Sequence, residues 1–169
     1  LKQRCHFIYL FHLNISNNQI KDIPEGSFCS FPGLKSLDIS FNCLVILRTD
    51  LFDMLNMLQQ FSIEGNNLKA LFPYSFKQLG RLLYLNLRNI SLKYIRDFTF
   101  VGLSDLTHLD MSSNFLYEIS KNTFFGMHGL VTLNLQNNSI CKIDPESLAH
   151  FLKINHIYSK HYEFCCLDL

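Results

Sequence analysis

Apolar residues recur along this chain at one fixed interval. Leu10, Leu34, Leu58, Leu82, Leu106, Leu130 and Ile154 each lie 24 residues after the one before. The residues behind them keep the same order, L-x-x-L-x-L-x-x-N-x-L-x-x-L, as in "LKSLDISFNCLVIL" (34–47), "LTHLDMSSNFLYEI" (106–119) and "LVTLNLQNNSICKI" (130–143). The second and third marks of each unit are two residues apart, which is the side-chain period of a strand. Leu37 with Ile39, and Leu133 with Leu135, therefore point inward while their neighbours face away. One short strand per unit and a return path predict a coil of stacked repeats.

Two further series share the interval. Asn18, Asn42, Asn66, Asn114 and Asn138 fall where the chain leaves the strand. A short amide there bonds backbone groups of the turn and links to the next unit as a ladder. In "LLYLNLRNISLKYI" (82–95) Ile90 takes this place, so a local adjustment of the ladder is expected, with Ile90 either buried or marking a contact. Phe28, Phe52, Phe76, Phe100 and Phe124, with Leu148 in the sixth place, form the other series. They predict a ring stack on the return side of the coil.

On these marks the chain resembles the leucine-rich repeat from residue 10 to about 158. The resemblance implies an α/β solenoid: a horseshoe with a parallel concave sheet of about seven short strands, and an irregular or short-helical convex side carrying the Phe spine. Residues 1–9 align with the tail of a repeat, Cys5 lying 24 before Cys29 and Phe7 24 before Phe31. The expected organisation is thus the end of a truncated repeat (1–9), six repeats (10–153), and an incomplete seventh unit with the start of a cysteine-containing cap (154–169). Such a chain reads as a fragment of a longer protein.

In a solenoid, function lives on a surface. Seven strands at ~4.8 Å spacing make a sheet roughly 29 Å across, wide enough for a helix, a hairpin or a small folded ligand. Its outward positions carry aromatic, carboxylate and amide groups interspersed, the chemistry of a surface that binds protein or peptide. Asp38, Glu64 and Asp110 are its acidic members, with Arg88 between the last two, and Tyr84 and His108 are rings on the same face. The three carboxylates either receive Arg or Lys side chains of a ligand through charge-assisted bonds or belong to a solvated sheet with no partner.

Composition narrows the classes. A formal net charge of +1, from fifteen basic and fourteen acidic residues, gives no field favouring nucleic acid or an anionic membrane. No window approaches the eighteen or so apolar residues of a membrane span, and the opening "LKQRCHFIYL" is not a signal peptide. The seven His have no metal-ligand spacing, and there is no CxxC, HExxH, nucleophile elbow or phosphate loop. No enzyme, metal site or cofactor is expected.

Sequons at Asn14, Asn89 and Asn137 give weak support for an extracellular, glycosylated chain. Cys43 and Cys141 sit in distant repeats, too far apart to pair. Cys5 and Cys29 could bridge only within about 7 Å, and the wider return side of a curved coil favours two unpaired thiols.

The end of the chain departs from the repeat. Ile154 and Ile157 keep the first two marks of a seventh unit, but Ser159 stands at the third. The run "YSKHYEFCC" then alternates Tyr158, Tyr162 and Phe164 with polar groups, as an edge strand that begins a cap. "INHIYSKHYEFCC" resembles the segment ending the leucine-rich ectodomain of some G-protein-coupled receptors, especially relaxin-receptor-like ones. That resemblance implies a hormone-binding ectodomain on the extracellular side of the plasma membrane, with a membrane domain beyond residue 169. It further implies a peptide or protein hormone held on concave acidic residues, and hinge disulfides from Cys165 and Cys166. Asp38, Glu64 and Asp110 match no fixed motif of that family, and its low-density-lipoprotein-type module is absent. A secreted or single-span adhesion protein and an intracellular scaffold are the other readings.

Overall fold

The computed structural model describes residues 9–159. Its strands are β1 (His12–Asn14), β2 (Ser36–Asp38), β3 (Gln60–Ser62), β4 (Tyr84–Asn86), β5 (His108–Asp110), β6 (Glu118–Ile119), β7 (Thr132–Asn134), β8 (Lys142–Ile143) and β9 (His156–Tyr158). Seven of them form one parallel sheet in the order β1-β2-β3-β4-β5-β7-β9, while β6 and β8 pair separately. Register repeats at every step: Leu13 faces Leu37, Leu37 faces Phe61, and so on to Leu133 against Ile157. The 24-residue interval is thus the length of one complete turn of the coil.

Strands this short need a sharp exit, and the eighth position of each unit provides it. Asn17, Phe41, Gly65, Asn89, Ser113 and Asn137 all have φ between 51 and 68°, the left-handed region that turns the chain inward. The N–H groups of the first five bond across to the next unit, as Phe41 N to Glu64 O at 2.7 Å and Asn89 N to Ser112 O at 3.1 Å. The next residue is the ladder asparagine. Asn66 Nδ2 donates to Ile63 O (2.9 Å) in its own turn and to Ile39 O (3.1 Å) in the preceding one, while its Oδ1 accepts from Leu44 N (3.0 Å). Asn42, Asn114 and Asn138 repeat this set. All four are buried, yet their polar atoms are satisfied.

Ile90 interrupts the ladder as expected. Its side chain is fully buried, and its backbone substitutes for the missing amide: Lys69, at φ 64°, donates to Ile90 O at 3.2 Å. The adjustment also loads the next asparagine, since Asn114 Oδ1 accepts from both Ile90 N and Leu92 N at 3.0 Å.

The core lies between the sheet and the return side. The central strand residues Leu37, Phe61, Leu85, Leu109 and Leu133 are buried. Behind them Phe52, Phe76, Phe100 and Phe124 run in sequence, with successive centroids 5.8, 6.0 and 6.3 Å apart. Phe28 is buried too, its ring 6.5 Å from Phe31. Leu148 does not continue the stack. Leu148 carries no ring and is 38% exposed at the end of the 3-10 turn Pro145–Leu148, and Phe151 closes on Phe124 at 5.1 Å instead. Apart from this turn and a second at Thr49–Phe52, the return side is irregular, and no α-helix occurs among the described residues.

The sheet ends at β9, whose three residues are all exposed. This edge strand keeps the repeat register, with Tyr158 as its last residue. Residues 160–169, with Tyr162, Phe164, Cys165 and Cys166, and residues 1–8, with Cys5, lie outside the described residues. No helix among the described residues is long and apolar enough to cross a membrane.

Candidate functional site

The outward residues of six strands enclose a trough of ≈550 Å³ along the middle of the sheet. Its floor has two columns. The third positions carry Ser36, Gln60, Tyr84, His108 and Thr132; the fifth carry Asp38, Ser62, Asn86, Asp110, Asn134 and Tyr158. Because the strands are in perfect register, each column is a straight line of side chains one strand spacing apart.

At the centre Tyr84 and His108 stack, with ring centroids 4.5 Å apart and planes 17° from parallel. Tyr84 is 45% exposed, so its ring offers an open apolar surface. His108 is oriented from behind: Thr107 donates its hydroxyl to Leu83 O at 2.9 Å, so His108 Nδ1 donates to Thr107 Oγ1, also at 2.9 Å. In the neutral ring this leaves Nε2 as an acceptor.

The acidic residues divide into two kinds. Asp38 and Asp110 line the trough, and each also performs local work. Asp38 Oδ1 accepts from Ser40 N at 2.9 Å, and Asp110 Oδ1 accepts from Ser112 N at 2.8 Å and Ser112 Oγ at 2.6 Å. Asn14, Asn86 and Asn134 make the same i to i+2 bond, so the fifth position is an Asx turn that shapes the strand exit. Their second carboxylate oxygens take amide donors from adjacent strands, Asn14 to Asp38 at 3.3 Å and Asn134 to Asp110 at 3.1 Å. All these donors are neutral, so both carboxylates keep their charge facing the trough. Glu64 is outside it, paired with Arg88 at 3.5 Å and accepting from Asn86 Nδ2 at 3.0 Å. Of the six residues proposed from sequence, Tyr84, His108, Asp38 and Asp110 come together, while Glu64 and Arg88 neutralise each other at the exit edge.

The three sequons differ in setting. Asn89 and Asn137 are exposed in the left-handed turn, at φ 51 and 55°. The Asn14 amide is engaged, its Oδ1 by Ser16 N and Oγ and its Nδ2 by Asp38. Cys43 is exposed, and Cys141 Sγ lies 3.3 Å from Ser139 O. Among the described residues no group of three His, Cys, Asp or Glu is placed to hold a metal.

Sequence reasoning missed the left-handed column. Three Asn and a Gly at the eighth position were its signal, and Phe41 hid it. A Cβ-bearing residue here carries a steric penalty of roughly 1–2 kcal/mol, small for Asn and full for Phe. Phe41 is nevertheless there, 48% exposed.

Comparison with known proteins gives a family and a fold. A family model described as "Leucine rich repeat" matches residues 8–68, 58–116 and 112–158. No curated protein matches the chain. Solved structures match in 212 chains, a breadth that identifies an architecture and not a ligand. One of them belongs to the Drosophila Toll–Spatzle complex, in its glycosylated form: TM-score 0.74, 24% identity, covering 86% of this chain and 23% of that one. The chain therefore spans less than a quarter of that neighbour, and the likeness is one of fold.

Proposed function

Since this chain belongs to the leucine-rich repeat family, we propose that it is a protein-binding stretch of an extracellular receptor and holds a peptide or protein ligand in its concave trough. The observation that carries this is the Tyr84–His108 ring pair at the centre of a trough that the carboxylates of Asp38 and Asp110 also line. A half-exposed ring beside an imidazole acceptor suits a planar or cationic side chain, and flanking carboxylates favour a basic ligand.

Two membrane contexts follow from different observations. The run at 154–166 resembles the end of a relaxin-receptor-like ectodomain, which supports a hormone receptor with seven spans, anchored beyond residue 169 and joined through Cys165 and Cys166. The second reading is a single-span or secreted protein, with which the fold likeness to a chain of the Toll–Spatzle complex is compatible. Sequence downstream of codon 169 separates them by the number of apolar spans.

The binding face has its own test. A phage-displayed constrained peptide library is panned on the immobilised chain, and the clones are assayed on Tyr84→Ala and His108→Ala, with Tyr74→Ala on the return side as control. Clones weakened about tenfold or more by the first two and not by the control are expected. Clones indifferent to both would remove the concave reading.

A further inference from the structure

We propose that Phe41 is an aromatic anchor for the protein ligand at the rim of the concave face, seated on a gap that Gly65 keeps open. The proposal rests on the concave reading and names a determinant beyond the trough.

Six residues share the left-handed eighth position, and five of them suit it: three Asn, one Gly and one Ser. Phe41, at φ 52°, is the bulky exception. Its ring does not fill the core, being nearly half exposed. One side of it lies on Gly65, where a Cβ would meet Phe41 Cδ1 at 2.4 Å and Cε1 at 2.7 Å. Gly65 thus removes a side chain from beneath a ring held at a steric cost and left open to solvent on its other face. Strain that local packing does not require clusters at binding surfaces, and a rigid exposed ring is the residue type that dominates them.

Position argues for the same occupant as the trough. Phe41 follows three residues after Asp38, and its N–H bonds Glu64 O at 2.7 Å, so it stands where the sheet face turns into its exit edge. A ligand reaching from the Tyr84–His108 pair toward Asp38 meets this ring next. The sequons at Asn89 and Asn137 fall two and four units further on, and the third, Asn14, one unit before, has its amide engaged by Ser16 and Asp38. The complementary group is an aliphatic or aromatic side chain of the ligand, next to a basic one directed at Asp38.

The test uses the panned peptide clones on Phe41→Gly, Phe41→Ser and Phe41→Tyr, with thermal midpoints for each. Glycine and serine already occupy this place in other units, so the midpoint of those variants is expected to hold or rise. Clone affinity is expected to fall about tenfold or more, with Phe41→Tyr retaining it. A midpoint loss as large as that of Phe76→Ala would make Phe41 a packing residue and overturn the proposal, as would a library yielding no clone sensitive to Phe41→Gly. Clones that need Tyr84 and His108 but not Phe41 sink the anchor and leave the concave reading. The reverse pattern sinks the concave reading and leaves the anchor.

Discussion

Asn114 carries more of the ladder than any of its counterparts, and truncation measures how much. Asn66→Ala removes one acceptor for a buried N–H, that of Leu44. Asn114→Ala removes the acceptor for two, Ile90 N and Leu92 N, both in fully buried residues. The donations to carbonyls match in the two cases, Leu87 O and Met111 O for Asn114 against Ile39 O and Ile63 O for Asn66. They cancel in the comparison, as do the cavities left by identical truncations. A buried donor left unpaired costs about 1–3 kcal/mol, so Asn114→Ala is expected to be about 1–3 kcal/mol more destabilising than Asn66→Ala. For a chain of this size each kcal/mol moves the midpoint by about 2–4 °C, so Asn114→Ala should melt roughly 2–12 °C below Asn66→Ala. Thermal unfolding followed by circular dichroism, with urea titration to check that the slopes agree, reads the difference. Equal midpoints, or a lower one for Asn66→Ala, would refute the account of how the ladder bridges Ile90.

Four other outcomes follow from the same geometry. Phe100→Ala, deleting a ring stacked on both Phe76 and Phe124, should cost about 3–5 kcal/mol in urea unfolding. Phe151→Ala should destabilise more than Leu148→Ala, because the ring and not the leucine closes the stack on Phe124; equal midpoints would restore Leu148 to the spine. Asp38→Asn with Asp110→Asn keeps an oxygen for Ser40 N and Ser112 N but loses the acceptors for Asn14 Nδ2 and Asn134 Nδ2, so stability should fall by about 0.5–1.5 kcal/mol per lost bond while any basic peptide clone weakens; a much larger loss would show that the charge itself holds the turns. The exposed Lys121 ammonium is held above its usual 10.5 by the hydrogen bond and charge of Glu146. A raised base contributes stability that is complete below the unfolded value and lost as pH rises through the folded one, so Lys121→Met and the parent should show parallel midpoints from pH 6 to 9, about one unit or more below that window.

How far the chain can be read without coordinates depends on which way a residue points. Inward positions were legible because a single interval governs them: Leu37, Asn66 and Phe76 repeat every 24 residues and are buried where the interval puts them. Leu148 kept the interval and is nevertheless exposed, because the larger ring of Phe151, outside the interval, takes the contact with Phe124. Outward positions have no such rule. Asp38 and Asp110 were readable as surface carboxylates, yet their Asx turns were not inferred, although a serine two residues on in each case is the signal for one. Glu64 sits at the seventh position and not the fifth, which is why it meets Arg88 at the edge and stays out of the trough. The left-handed column was hidden by Phe41, whose presence contradicts backbone preference.

Interior and exit together satisfy nearly every backbone demand of the repeat, and this decides where binding chemistry can vary. The apolar marks fill the core, the ninth position bridges units, the fifth shapes the turn and the eighth is left-handed. Of the outward positions left, the seventh is engaged in part, as in the Glu64–Arg88 pair, while the third has side chains that stand in the trough. Tyr84 stacked on His108 occupies that column in two adjacent units, while Ser36, Gln60 and Thr132 surround it. Two large rings in this column, beside carboxylates that serve both turn and trough, are the reason we propose recognition there. Phe41 reaches the same conclusion from the opposite direction: it is a residue that breaks a structural rule of its column, and a ligand is the compensation the fold itself does not supply.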